Sequence, residues 1–497
     1  MRITYPGHSE LLVHMDNPDG KTIHVLVDSW LSDYAVGDYL ERRPHVRMDH
    51  AKCPVDAVFL SHAHCDHLDP YFLRELWQNQ RPAILLSETL EFLRPMLEEN
   101  LPGSSILTLR DQDPLEFMGL TLHGMVWQDE LRGNEEDVMT LCVDNGREVL
   151  FHEIDTVPNG VPDDEDYLHW LLTRKPFETV AYVSTRNELE GLLTALDCRN
   201  ADERQAFVRD YRGRAKKDAS EQYAVFAGDG PGYPDVTGVT GFVRLFVGQG
   251  MAYPSKVDPL LAKIQPLPLT DVAEMERAAA QKTDRNFPQH ALTAGKTYEL
   301  AKGGILRETD PVPGLVFGNF LPPADNAVSA RRTYRSGPMD PAPRDAVAQE
   351  KLVLGLLQDR FLPYWLSHAE HPLKNAMLSK TNRAYVVAVR FGNAQNFSTR
   401  YFRFALGSAR FEVSDRVGDV VDEDYWANDL QDFFEGRQEL YSNFLAALDP
   451  QKTYLLWTCL GTNFLNNDVV ERKHRLHFDR ARKGLEAGSW VLPAYGK

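Results

Sequence analysis

The chain has 497 residues, of which 43% are apolar and 25% charged; at roughly 100–200 residues per domain this predicts two or three folded domains and excludes a peptide, a fibrous protein or a wholly disordered one. Its formal net charge of −18 repels phosphate backbones and anionic lipid heads, so no nucleic-acid and no membrane partner is expected. No basic region followed by an apolar stretch opens the chain, and no apolar run reaches the ~20 residues of a membrane span, which makes the cytoplasm the expected location.

The first ~160 residues read as strands broken by turns. Ile3 to Tyr5, Leu11 to His14 and Thr22 to Val27 are β-rich, and Asn17-Pro18-Asp19-Gly20 marks a hairpin turn between the last two. Val55 to Leu60 is a short apolar strand ending at Ser61-His62, followed by a helical pattern through Tyr71 to Trp77. Further strands are expected at Ala83 to Leu86, Ser105 to Leu109, Leu120 to Val126, Met139 to Val143 and Glu148 to Ile154, with helices at 87–99 and 163–173. The charged stretch Asp202 to Gln222 reads as an exposed amphipathic helix. Residues 251–345 are rich in Pro and Gly, with one helix near 270–283. Strands at Ala384 to Arg390, Tyr401 to Phe404 and Arg410 to Val413 precede helices at Asn428–Leu448 and 467–485. The class is α/β, divided as 1–250, a metal-binding domain; 251–380, a connecting lobe; and 381–497, a C-terminal α+β lobe.

The chemistry concentrates in Ser61-His62-Ala63-His64-Cys65-Asp66-His67-Leu68-Asp69-Pro70. A loop leaving a strand can turn His62 and His64 to one side and Asp66 and His67 to the other, offering two ligand sets to two metal ions a few ångströms apart. Imidazole with carboxylate suits Zn, Fe or Mn and does not suit Ca or Mg. The five cysteines are scattered and form no Cys-x-x-Cys pair, so the metal ligands must be His and carboxylates.

This loop resembles the His-x-His-x-Asp-His signature of the metallo-β-lactamase superfamily. Tyr5-Pro6-Gly7-His8-Ser9 and Val25 to Leu31 are similar to the opening hairpins of its lactonase-like branch. The resemblance implies an αββα metallo-β-lactamase sandwich for 1–250 and makes Asp155, at the end of Val149 to Thr156, a ligand bridging both ions. Superfamily hydrolases carry a further His before the Leu141-Cys142-Val143 strand, where this chain has Gly133-Asn134-Glu135-Glu136-Asp137. A carboxylate from Glu135 or Glu136 is the simplest substitute and would favour iron; the alternatives are an acidic surface turn with the ligand missing, or His123 in its place. The last superfamily His is also absent, and Phe226 to Pro231 offers only Asp229.

The helix ending Lys216-Lys217-Asp218, the stretch Tyr223 to Gly228, and Asn428 to Arg437 with Tyr441 resemble the non-Rieske region of CMP-N-acetylneuraminate hydroxylases. No Rieske Cys and His pairs are present, so any electrons would come from a separate donor protein. The metal site is also similar to that of diiron β-hydroxylases. Two readings follow: an O2-dependent non-haem diiron oxygenase of a small molecule, and a dinuclear metal-dependent hydrolase of a lactone, ester or phosphodiester. Two metal ions are implied, iron favoured, with zinc or manganese the alternatives. Asp66 orients the nucleophilic water in the hydrolase reading and holds the second iron in the other.

Weaker signals lie elsewhere. His474-Arg475-Leu476-His477, with Arg472, Lys473 and Arg480, reads as a solvated basic face, with anion binding as the alternative; Arg331, Arg332 and Arg335 invite the same idea. Trp426, Trp457 and Trp490 read as core or interface residues. Tyr425, Trp426, Phe433, Phe434, Tyr441 and Phe444 present more apolar surface than so small a lobe buries alone, so the lobe is expected to close over the metal site.

Overall fold

The computed structural model describes residues 1–35, 40–126, 138–156, 162–185, 241–252, 269–280, 287–318, 337–338, 340–363, 384–404, 410–417, 420–437 and 463–486, together with Ala206 and Val239. Glu135, Glu136, Asp229, Arg331, Arg332, Arg335, Trp457, Trp490 and most of the amphipathic stretch at 202–222 lie outside the described residues.

The chain opens with the meander β1 (Arg2–Gly7), β2 (Glu10–Asp16) and β3 (Thr22–Val27). Asn17 closes the second hairpin by accepting the backbone N–H groups of Asp19 and Lys21, with Gly20 at φ +79°. Parallel strands β4 (Ala57–Leu60), β5 (Ala83–Ser87) and β6 (Ile106–Leu109) then extend the sheet, with α1 (Pro70–Asn79) and α2 (Arg94–Asn100) between them. A 3-10 turn, Glu88–Leu93, precedes α2 where one helix was expected at 87–99.

The second sheet repeats this plan. Its antiparallel part is β7 (Leu115–Phe117), β8 (Leu120–Val126), β9 (Met139–Asp144) and β10 (Glu148–His152). Its parallel part is β11 (Thr179–Thr185), β12 (Phe242–Val247) and β13 (Gln289–Ala291), with α3 (Pro162–Thr173) and α4 (Leu269–Ala280) as connections.

The alternation of side chains along each strand sets the layers. Ile3, Tyr5, Val25, Val27 and Phe59 of the first sheet meet Leu141, Val143, Leu150, Val183 and Leu245 of the second in one core. Their sequence neighbours Leu12, Leu26, Val58 and Leu60 face outward onto Leu73 and Leu76 of α1 and Met96 and Leu97 of α2. On the far side Phe151, Val180 and Tyr182 pack on Leu168, Leu171 and Leu172 of α3. The arrangement is helix, sheet, sheet, helix.

The sheets do not stop at residue 250. β13 lies beside β12, while β14 (Lys296–Ala301) pairs with β1 and β15 (Ile305–Thr309) with β14, so part of the span read as a connecting lobe belongs to the sandwich. These pairings join residues almost 300 positions apart in register Arg2↔Glu299, a relation that local patterning does not carry.

The C-terminal lobe has its own sheet, β16 (Tyr385–Asn393), β17 (Asn396–Phe404), β18 (Glu412–Ser414) and β19 (Glu423–Trp426), in the order β18, β17, β16, β19. Against it lie α5 (Ala346–Gly355) and α6 (Ala427–Phe434), with Trp426 buried in their common core. The long helix α7 (Asn463–Glu486) belongs to both bodies: Val469 packs in the core of the lobe and Phe478 in the core under α1 and α2. No described helix is long and apolar enough to cross a membrane.

Candidate metal centre

Three turns at one end of the sandwich converge. The loop 61–69 leaves the carboxyl end of β4; residues 153–156 leave β10; and Gly7, His8 and Ser9 link β1 to β2. The loop 61–69 ends at Asp69, which caps α1 by accepting the N–H groups of Tyr71 and Phe72, with Pro70 in the first turn. A capped helix start fixes where the metal-binding loop must finish.

Two donor groups result, each with its candidate ligand atoms within 4.8 Å of one another. The first contains His62, His64 and Asp155, with His62 Nε2 at 2.9 Å from His64 Nδ1 and 4.0 Å from an Asp155 oxygen. The second contains His8, Asp66 and His67, with His8 Nε2 at 3.4 Å from an Asp66 oxygen. The same Asp155 oxygen lies 2.9 Å from His67 Nε2, so this carboxylate stands between the groups. All five residues expected from the metal loop and from the end of β10 are therefore brought together.

The imidazoles are oriented from behind. Asp28 accepts a hydrogen bond from His67 Nδ1 at 2.7 Å and from the Ser61 hydroxyl at 2.8 Å, and Ser61 Oγ lies 2.9 Å from His62 Nδ1. Since the Ser61 proton goes to Asp28, Ser61 accepts from His62 Nδ1–H, which leaves both Nε2 atoms to face the site. Ser9 Oγ touches His8 Nδ1 and His67 Nδ1, each at 3.2 Å. Behind His8 sits a fully buried ion pair, Arg42 Nη2 to Glu10 Oε2 at 2.7 Å, with Arg42 also over the Trp30 ring. His8, Asp28 and Ile154 all hold positive φ, at 54°, 57° and 61°. A β-branched residue at such a φ is a true outlier, and its place beside Asp155 marks backbone held by its surroundings.

The electrostatics follow from burial and these contacts. Burial, with His67 next to it, holds His8 down to about 3, and burial likewise keeps His62 well below its ordinary range, so both present lone pairs at neutral pH. Burial works against charge on His67 too, but Asp155 and Asp28 outweigh it and raise its pKa well above the usual value. Asp155, which burial alone would raise, is held far below the ordinary carboxylate range by His67 and the neighbouring imidazoles. His67 Nε2 and Asp155 face each other at 2.9 Å between the two groups, and four imidazoles with two carboxylates are a donor set for Zn, Fe or Mn. The residues fit two ions.

His8 is the member of the second donor group that sequence reasoning did not single out as a candidate ligand. It was visible only as a polar residue after a glycine in the turn between two apolar strands, and its burial and positive φ arise from the fold. His123 is elsewhere: its ring meets Tyr167 Oη at 3.1 Å and Arg174 Nη2 at 3.2 Å on the α3 side of the second sheet. The basic face expected around His474 and His477 is also corrected, since both imidazoles are buried. His474 Nε2 donates to the Ala63 carbonyl at 2.9 Å, and His477 Nδ1 lies 3.3 Å from Tyr71 Oη. The physical reason is tertiary: α7 turns this side onto α1 and the metal loop.

Two facing sheets flanked by helices, with a His-x-His-x-Asp-His loop at the end of β4 and an aspartate after β10, settle the architecture. It is the metallo-β-lactamase fold. No protein-family profile and no curated protein matches the chain. Among solved structures, a "possible metal-dependent hydrolase" from Veillonella parvula is 13% identical over 60% of this chain and 98% of its own, with a TM-score of 0.36. CmlA, a diiron beta-hydroxylase from Streptomyces venezuelae, is 13% identical over 60% of this chain, with a TM-score of 0.35; the match spans 53% of CmlA. The metallo-beta-lactamase fold protein YhfI from Bacillus subtilis is 12% identical over 60% of this chain and 99% of its own, with a TM-score of 0.31.

Proposed function

We propose that the chain is a dinuclear-metal enzyme and, with iron in both places, an O2-dependent non-haem oxygenase of a small molecule. The carrying observation is the composition and setting of the first donor group. Among the described residues it has only two imidazoles and Asp155. The segment that would complete it, 127–137, returns at Met139, whose N–H donates to the carbonyl of Ser61 at 3.3 Å, next to His62. Glu135 and Glu136 lie four and three residues before that anchor. A carboxylate supplied there gives the first ion a harder donor set than histidine would, which suits iron across its oxidation states.

In this reading His62, His64, Asp155 and a glutamate hold one ion, and His8, Asp66 and His67 the other. Two irons supply the capacity to activate O2. The protein's own part is to fix the imidazoles through Asp28 and Ser61, to keep His8 neutral by burial, and to exclude water around the second group, where His8 and His67 are fully buried. In this reading a separate donor protein delivers the electrons.

A hydrolase is the second reading, favoured by the second group, whose two imidazoles and one carboxylate also suit zinc. Two such ions, held by these residues, would polarise a carbonyl or phosphoryl oxygen and lower the pKa of a water toward ~7. Elemental analysis of protein purified without air, followed by a visible spectrum on admitting O2, separates the two. Two irons and a transient absorption band support the oxygenase; two zincs and a colourless protein overturn it in favour of the hydrolase.

A further inference from the structure

We infer that His474, on the C-terminal helix α7, is a positioning residue for the metal centre: by donating its Nε2–H to the Ala63 carbonyl it fixes the peptide between the ligands His62 and His64. This rests on the dinuclear reading above and deepens it, because it makes occupancy of the first metal place depend on a helix more than 400 residues away.

The bond is specific in chemistry. A carbonyl can only accept, so the proton is on Nε2, and His474 Nδ1 is then a bare lone pair; it has no hydrogen-bond partner among the described residues although the residue is only 1% exposed. Burying an imidazole with one nitrogen unsatisfied is costly, and an apolar residue would fill the same space without that cost. What the histidine adds is the bond to Ala63.

The placement is equally directed. Val470 and Phe478, one turn before and one turn after His474 on the same helix face, pack with the apolar residues under α1 and α2, and Ala63 belongs to that cluster. His477, three residues on, meets Tyr71 at the start of α1. The two histidines therefore touch the loop near its start and the helix that directly follows it. The other side of α7 is tied to the C-terminal lobe. Val469 enters the lobe's core, Arg472 Nε donates to the Phe434 carbonyl at 3.0 Å, and Arg360 forms a two-pronged pair with Asp468 at 2.7 Å. Gly436 lies so close to Lys473 that an added Cβ would come within 2.6 Å of its backbone nitrogen, so the lobe and the helix are in backbone contact there. The lobe thereby reaches the metal loop through one rigid element.

The test uses the full chain with His474→Leu, which keeps apolar bulk but has no donor, and His474→Gln, whose amide nitrogen reaches about as far as Nε2. Cobalt(II) titration reads affinity and the visible ligand-field spectrum, and amide hydrogen exchange of 61–69 in metal-free protein reads the loop itself. His474→Leu should weaken one of the two cobalt sites by about 10–100-fold, change its spectrum and speed exchange of the loop, while His474→Gln restores all three. Wild-type affinity, spectrum and exchange in His474→Leu overturn the inference, as does a His474→Gln protein that folds yet matches His474→Leu. If His474→Leu does not fold, His474→Gln decides alone, wild-type behaviour supporting the role and loss of one cobalt site overturning it. Should the wild-type chain bind no cobalt, the dinuclear reading fails, and the loop exchange still decides for or against the clamp.

Discussion

The second donor group is supported on every side: His67 by Asp28 and Ser9, His8 by Ser9 and the buried Glu10–Arg42 pair, with both imidazoles fully buried. The first group is more open. His64 is partly exposed, the Asp155 side chain keeps 22% of its surface, and support comes from Ser61 and, through Ala63, from α7. In the dinuclear reading the contrast predicts a division of labour: a prearranged place that binds its ion more tightly, and a more accessible place that binds more weakly.

The hardest blow to that contrast is His67→Ala, which removes a ligand of the second group and the partner of both Asp28 and Asp155. Elemental analysis should find at least one of two ions gone, and the stability of the metal-free protein should fall by about 1–3 kcal/mol because Asp28 is left buried with fewer partners; full occupancy would undo the assignment. His8→Ala should cost the second ion alone and leave the first in place. If both ions remain, His8 is a core histidine and the second group is short of a ligand. His64→Ala should do the reverse, releasing the more weakly held ion while the buried one stays. Asp28→Asn should be milder, lowering affinity at the second place by about 10–100-fold through loss of the orienting carboxylate, as read by competition with a chelator.

Acid sharpens the picture further. In metal-free protein the pKa values of His8 and His477 are held at about 3 and that of His152 at about 4 by burial. Their folded values lie below the unfolded ~6.5, so stability is present above pH ~6.5 and is lost as pH falls toward 4 and 3. His67 has the opposite sign: its raised folded pKa gives stability that is complete below pH ~6.5 and fades as pH rises through the folded value. Urea midpoints measured from pH 8 to 4 should therefore fall, and His67→Ala should remove the opposing component. Smallest of all, Arg475→Ala breaks only surface pairs with Glu99 and Glu471 and should change stability by less than ~1 kcal/mol and metal content not at all.

Sequence legibility follows the same line between local and non-local causes. The loop from His62 to Asp66 and His67 is legible because its candidate ligands share one short segment, and Asp155 is reachable through its resemblance to a known strand end. The two-sheet sandwich followed from alternating apolar strands. His8 did not stand out, because nothing in Gly7-His8-Ser9 shows that the turn is buried against a loop 55 residues later. His474 and His477 were read as solvated since Arg472, Lys473, Arg475 and Arg480 surround them, and only the packing of α7 on α1 shows which side of the helix is inside. The sheet strands at 289–309 were hidden by their Pro- and Gly-rich flanks, which read locally as a connector.

The pairing of β1 with β14 also bears on how the chain is made. On the ribosome β1 meets β2 within seconds, but its other edge stays open until residues 296–301 emerge. At about 5–20 residues per second that wait is roughly 15–60 s, during which an apolar strand with unpaired backbone groups is available to any neighbouring nascent chain. Truncation before residue 296 should therefore leave the metal loop intact in sequence yet yield insoluble product, and holdase chaperones should engage the first sheet until its last two strands arrive.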